Sequence, residues 1–166
     1  MLLLIRDTNI LLDWEDGGRL DALFSLGATL AVPDLLLAEE LADRADRLRA
    51  LGLVVRPLGA AGIGRAAALA RKHRKPSRID LLALALAEQE RCPLLTGDRD
   101  LRVAAEAEGV VVHGTLWLAE QAVAVGALPA TALREVYRRM WATGRRLPWK
   151  TVDAQLRRMG VAALER

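Results

Sequence analysis

The chain has 166 residues, of which 52% are apolar and 27% charged, and this composition is typical of a folded globular protein. The length is that of one domain with a sizeable core. The single cysteine, Cys92, excludes an internal disulfide and a metal site built from cysteines alone. The apolar stretches are too short for a membrane span, and the N-terminus lacks the pattern of a signal peptide, so we expect a cytoplasmic protein.

Charge is distributed unevenly along the chain. Residues 1–133 carry 15 Lys and Arg against 18 Asp and Glu, whereas residues 134–166 carry 9 against 3. A positive flank beside an acidic body fits a protein that handles a polyanion, although solvated helix ends would give the same pattern. Aromatic residues are only 4% of the chain, so a bound nucleic acid would be held mainly through its phosphates.

Short apolar runs alternate with longer helical stretches. In chain order, the predicted strands are Leu2–Ile5, Ala28–Val32, Leu53–Arg56, Pro93–Thr96 and Val110–His113. The predicted helices begin at Ile10 and continue with Asp34–Arg49, Ala60–His73, Ile79–Glu90, Arg99–Glu108, a helix from Thr115, Thr131–Trp141 and Val152–Met159. This alternation predicts an α/β fold with an open, mainly parallel five-stranded sheet flanked by helices, followed by extra C-terminal helices.

Four acids are predicted to reach one edge of this sheet, where ligands of open parallel sheets bind. Asp7 and Asp98 directly follow strands, and Asp80 begins the helix before the fourth strand. Glu39 lies about two turns into the helix after the second strand. Each acid also has a structural interpretation of its own, as a helix cap, a capping box with Ser77, a turn residue or part of a solvated face.

Carboxylates that converge on one edge repel one another, by roughly 3 kcal/mol per pair at about 5 Å and an effective dielectric near 20. Such a cluster needs either bound cations or protonation. Oxygen ligands without clustered His or Cys select a hard ion, so the expected cofactor is Mg²⁺ or Mn²⁺. His73 and His113 are too isolated along the chain to form a zinc site.

Four motifs occur in a fixed order along the chain: LLIRDTNILL, VPDLLLAEEL, SRIDLLALALA and LLTGDRDLRVAAEAEGV. Together they resemble the motifs of PIN-domain nucleases. The segment GVVVHGTLWLAEQAVAVG is similar to the PIN subgroup related to VapC-type toxins of toxin–antitoxin pairs. We therefore expect a PIN-like domain over residues 1–128 and a helical extension over residues 129–166, packed on that domain or on a partner.

The resemblance implies a set of catalytic acids at matching positions. These positions are Asp7, Glu39, Asp80 and Asp98, with Glu40 and Asp100 as less certain rivals and Thr8, Asn9 and Thr96 as supporting polar residues. Asp7, Asp80 and Asp98 would bind one or two divalent ions. The implied reaction is metal-assisted hydrolysis of RNA phosphodiesters, in which the ion lowers the pKa of a bound water and offsets phosphate charge.

The basic segment RKHRKPSR, residues 71–78, directly precedes Asp80 and is expected to hold the RNA backbone. Its cationic residues are Arg71, Lys72, Arg74, Lys75 and Arg78. The resemblance further implies a homodimer and an antitoxin protein that silences the nuclease.

Three other functions stay open at this point. The chain could be a non-catalytic PIN-like module that binds RNA or a partner, or a nuclease that acts on DNA. It could also be a phosphatase of the haloacid-dehalogenase type with Asp7 as nucleophile. That class has a second Asp two residues after the first, where this chain has Asn9.

Overall fold

Five short strands form one sheet in the computed structural model, which describes residues 1–166. The strands are β1 Leu2–Ile5, β2 Thr29–Pro33, β3 Val54–Arg56, β4 Leu94–Leu95 and β5 Val112–His113. Every pairing is parallel, and the strand order is β3-β2-β1-β4-β5. The α/β fold with an open five-stranded parallel sheet is therefore confirmed.

Ten α-helices accompany the sheet. They are α1 Thr8–Asp16, α2 Leu20–Leu23, α3 Asp34–Glu40, α4 Ala45–Leu51, α5 Ala60–Lys72, α6 Arg78–Glu90, α7 Arg99–Ala107, α8 Thr115–Ala124, α9 Ala130–Ala142 and α10 Trp149–Arg158. The helix predicted over 34–49 is interrupted after α3, where Leu41 leaves the helical region at φ −126° and a 3₁₀ turn follows at Ala42–Arg44. That turn contains Asp43, a residue type that favours turns over helix interiors. None of the helices is long and apolar enough to cross a membrane.

The strand order reverses at β1. From β1 the chain builds β2 and β3 on one side, and then returns to build β4 and β5 on the other. Ile5 pairs with Leu95, so β1 and β4 end side by side. In open α/β sheets a crevice forms at such a reversal, outside the carboxyl ends of the two strands, and ligands bind there.

The chain divides into two compact units. The first, residues 1–10 and 28–114, contains the sheet and α3–α7; the second, residues 11–27 and 115–166, contains α2, α8–α10 and most of α1. The core of the first unit is formed by the central strands and by α6, whose residues Ala83, Leu84 and Leu86 are fully buried. In the second unit Val152 and Leu156 of α10 are buried. The expected boundary between residues 128 and 129 stays a prediction.

Candidate active site

Asp7 lies two residues beyond the end of β1. Its Oδ1 accepts a hydrogen bond from the backbone N–H of Asn9 at 2.9 Å, and its Oδ2 accepts one from the backbone N–H of Gly97 at 3.2 Å. A carboxylate at a helix N-terminus is also favoured by the helix dipole. Asp7 therefore caps α1, as its structural interpretation anticipated, and it also ties the end of β1 to the loop after β4.

Asp98 is the N-cap of α7. Its Oδ1 accepts a hydrogen bond from the backbone N–H of Leu101 at 2.8 Å, and its own N–H donates to Oγ1 of Thr96 at 3.1 Å. Thr96 is buried, so this hydroxyl anchors the turn from inside the fold. Because β1 and β4 are neighbours, Asp7 and Asp98 leave the sheet at adjacent strand ends.

Asp80 forms the capping box that its spacing from Ser77 predicts. The Ser77 hydroxyl accepts from the N–H of Asp80 at 3.1 Å, and Oδ2 of Asp80 accepts from the N–H of Ser77 at 2.9 Å. Oδ1 of Asp80 accepts from Nε of Arg6 at 2.7 Å. Since Arg6 follows β1 directly, this ion pair holds the start of α6 against the end of β1.

The acid of α3 that contacts these residues is Glu40. Its Oε1 lies 3.5 Å from Nη1 of Arg6, and its Oε2 accepts from the Thr8 hydroxyl at 3.1 Å. The preceding residue, Glu39, is exposed and makes neither contact. The role expected of Glu39 stays a prediction, and the geometry favours its rival Glu40.

Arg6 is the member of this site that sequence reasoning missed. Its side chain is only 16% exposed and bridges the carboxylates of Asp80 and Glu40. The sequence contains one signal that could have revealed it: a lone arginine after four buried or half-buried strand residues, directly before Asp7. A cation in such a place needs an acidic partner nearby.

The donor chemistry of this site suits a hard divalent ion, since it offers carboxylate and hydroxyl oxygens. The arrangement of the side chains does not suit such an ion, because no group of three or more His, Cys, Asp or Glu side chains is placed to hold a metal. Asp80 and Glu40 turn toward Arg6, whereas Asp7 and Asp98 accept backbone N–H bonds. The metal-ligand assignments of Asp7, Asp80 and Asp98 therefore stay predictions.

The basic segment lies at the α5–α6 junction. Arg74 and Lys75 are exposed and line a groove together with Arg99 and Asp100 of α7. Asp100 therefore faces the basic segment across this groove. The cations that line the groove could contact a polyanion, but no observation tests their assignment to RNA.

Lys72 and His73, at the start of the same segment, have a partner of their own in Glu108. The Glu108 carboxylate lies 2.6 Å from Lys72 Nζ and 2.6 Å from His73 Nε2, and it also accepts from Arg65 at 3.0 Å. Hydrogen bonds from Lys72 first, and then from His73, lower the pKa of Glu108 to about 2. The Glu108 cluster therefore ties α5 to the end of α7.

Comparison with known protein families identifies the fold. The PIN-domain family model of the DUF3368 type matches residues 3–161, nearly the whole chain. The chain belongs to the PIN-domain family. The resemblance found in the sequence motifs is thereby confirmed, and PIN domains are generally nucleases.

Solved structures support the same fold at low sequence identity. A PilT N-terminus domain protein from the hyperthermophilic archaeon Sulfolobus solfataricus superposes with a TM-score of 0.51 and 13% identity, over 74% of this chain and 94% of that one. A chain of VapBC2 from Rickettsia felis, solved bound to a DNA fragment from the promoter, superposes with a TM-score of 0.52 and 16% identity, over 69% of this chain and 98% of that one. No curated protein matches the chain significantly.

In this PIN domain, the fold brings most of the expected acids to one edge of the sheet. Hydrogen bonds link Asp7 to the loop that carries Asp98, and they link Asp80 and Glu40 through Arg6. The catalytic roles expected of these residues stay predictions, but their placement at the reversal of strand order is the one that a ligand site requires.

Proposed function

We propose that this PIN domain is a divalent-metal-dependent endoribonuclease and the toxin of a toxin–antitoxin pair. The observation that carries the proposal is the placement of Asp7, Asp98, Asp80 and Glu40 at the reversal point of a parallel sheet in a PIN-domain chain. Mg²⁺ or Mn²⁺ is the proposed cofactor, since PIN nucleases generally use divalent metals.

The chain's own residues contribute positioning and charge. Backbone N–H groups hold both oxygens of Asp7 and one oxygen of Asp98, so the two carboxylates have a defined direction at the strand ends. Arg74 and Lys75, in the neighbouring groove, supply positive charge for a phosphate backbone. Arg71 and Arg78, at the two ends of the basic segment, are exposed and extend this charge.

The test is a cleavage assay with purified protein and single-stranded RNA in Mg²⁺, Mn²⁺ or EDTA. We expect cleavage with the metals and none in EDTA, and Asp7→Asn should lower the rate about a hundredfold or more, as the loss of one catalytic electrostatic group does. Asp46→Asn is the matched control, because it makes the same change at an exposed site on α4. Equal rates for wild type and Asp7→Asn would contradict the proposal.

The toxin, its antitoxin and the cytoplasmic homodimer are proposed from the sequence resemblance, and the fold shared with VapBC2 is consistent with them. Expression of the wild type should arrest bacterial growth, whereas Asp7→Asn should not. Light scattering of the purified protein should give twice the 18.1 kDa chain mass. If the protein cleaves RNA but its expression leaves growth unaffected, the toxin assignment is wrong and the nuclease assignment stands.

One observation favours a second candidate, a non-catalytic PIN-like module that binds RNA. Arg6 already neutralises part of the acidic site, and no three acids are placed to hold a metal. The same assay separates the two functions, since a binding module retards RNA on a native gel and leaves it intact. Single-stranded DNA, run beside RNA, tests the remaining alternative of a DNA nuclease.

A further inference from the structure

The side chain of Arg6 occupies the part of the candidate site where a cation is expected. Its Nε donates to Oδ1 of Asp80 at 2.7 Å, and its Nη1 lies 3.5 Å from Oε1 of Glu40. The Arg6 side chain is only 16% exposed, and the Asp80 side chain only 14%. A largely buried ion pair of this geometry is strongly oriented, and the loss of either partner leaves a buried charge uncompensated.

Arg6 contacts one oxygen of each acid, Oδ1 of Asp80 and Oε1 of Glu40. Oδ2 of Asp80 accepts from the N–H of Ser77 in the capping box. Oε2 of Glu40 is held by the Thr8 hydroxyl. A divalent ion that used Asp80 or Glu40 would therefore compete with Arg6 for the same two oxygens.

Charge balance decides the direction of that competition. Asp80 and Glu40 together carry two negative charges, and Arg6 supplies only one positive charge. A divalent ion supplies two, and the guanidinium would be repelled from a site that held it. The two cations are therefore mutually exclusive at this position.

We infer that Arg6 is an internal counter-ion that fills the Asp80–Glu40 half of the metal site and must leave before a divalent ion can bind there. This inference rests on the proposed function, since it assigns a second state to the same acids. It explains why the arrangement lacks a three-carboxylate group although the donor chemistry suits a metal. Arg6 thereby sets the metal concentration at which the site becomes occupied.

The test is calorimetric titration of Mn²⁺ into the metal-free wild type, Arg6→Met and Arg6→Lys. Arg6→Met removes the competing cation and keeps a long apolar stem, so we expect Mn²⁺ to bind about tenfold more tightly. Arg6→Lys keeps a positive charge but loses the bridge, so its affinity should lie between the two. The control is Arg19→Met, which removes an arginine paired with the exposed Asp21.

Thermal unfolding gives a second readout that does not depend on activity. Without metal, Arg6→Met should melt below the wild type, because Asp80 and Glu40 repel each other unscreened. With saturating Mn²⁺ the gap between the two should narrow, by about 1.4 kcal/mol for tenfold tighter binding, since a ligand that binds the folded state more tightly stabilises it more. If Arg6→Met does not fold, the titration of Arg6→Lys decides alone.

Equal or weaker Mn²⁺ binding by Arg6→Met would overturn the inference and leave Arg6 as a structural clamp between β1 and α6. Absence of Mn²⁺ binding in every variant would overturn it as well. The RNA-cleavage assay then separates the two failures: cleavage by the wild type would keep the nuclease proposal, and its absence would remove both.

Discussion

Acidic residues occur in two contrasting settings in this molecule. In the helical unit, Asp13 is 5% exposed and receives bonds from Arg145 at 2.7 Å and from the Thr115 hydroxyl at 2.9 Å. In the sheet unit, two acids of the candidate site, Asp80 and Glu40, share a single cation, Arg6. Asp13 is thus a buried carboxylate with a cation and a hydroxyl donor of its own, whereas Asp80 and Glu40 share Arg6 at a sheet edge that also carries Asp7 and Asp98.

This difference distinguishes an acid that stabilises the fold from the acids proposed to act in catalysis. A buried carboxylate with its own cation and hydroxyl partner has no capacity left for a ligand, and it serves the stability of the fold. An excess of carboxylates at a strand-order reversal costs stability unless a cation arrives. A residue's type does not reveal which case applies; its partners do.

The largest effect on stability should follow from breaking the buried pair of Asp13 and Arg145. Asp13→Ala leaves Arg145, which is only 19% exposed, without its closest acidic partner, and we expect a loss of about 3–5 kcal/mol in the free energy of unfolding. Urea denaturation measures it. Asp16→Ala is the matched control, because Asp16 is 37% exposed and lies 3.7 Å from the same arginine. Similar losses for the two variants would contradict a special role for the buried carboxylate of Asp13.

At the candidate site, loss of the Asp98 carboxylate should reduce activity and not stability. Asn is as good an N-cap as Asp, so Asp98→Asn keeps the bond to Leu101 and should change the free energy of unfolding by less than about 0.5 kcal/mol. The rate of RNA cleavage should fall about a hundredfold. A folded Asp98→Asn variant that cleaves RNA at the wild-type rate would refute the assignment of Asp98 to the site.

Glu108 shows the opposite imbalance, one acid among several cations. Because its pKa is lowered to about 2, its ion pairs stabilise the fold fully above pH 4.5, and this contribution is lost as the pH falls from 4.5 toward 2. Glu108→Gln should lower the free energy of unfolding by about 1–3 kcal/mol at pH 7 and flatten its pH dependence over that interval. The control is Glu106→Gln, two residues earlier in the last turn of α7, an exposed acid 3.7 Å from Arg102. If the free energy of unfolding of Glu108→Gln keeps the pH dependence of the wild type, the prediction is wrong.

The smallest effect concerns the groove beside the basic segment. Arg74→Gln combined with Lys75→Gln should weaken RNA binding severalfold and reduce the slope of log affinity against log salt by about 1.4, at about 0.7 per phosphate contact. Fluorescence anisotropy at several salt concentrations measures both. Arg47→Gln with Arg49→Gln, two exposed cations on α4, makes the same charge change elsewhere. An equal effect of the two pairs would refute a specific role for the groove.

The sequence predicted the sheet well because its signals are local. Leu2–Ile5 was predicted with the observed bounds, and the other strands were found within one or two residues at each end. The short helix α2 and the break at Leu41 were not foreseen. Both depend on how buried leucines are packed, with Leu23 and Leu41 almost fully inaccessible, and packing is not a local property.

The sequence by itself was enough to predict that Asp7, Asp80 and Asp98 lie at one edge of the sheet. Parallel strands with helical crossovers bring their carboxyl ends to the same edge. Only the tertiary structure decided that Glu40 rather than Glu39 meets Arg6, and that Arg6 lies between Glu40 and Asp80. The reason is physical. Local pattern sets which face and edge a residue occupies, whereas the partner of a charged side chain can lie far along the chain, as Asp80 lies 74 positions from Arg6, and only folding brings the two within hydrogen-bond distance.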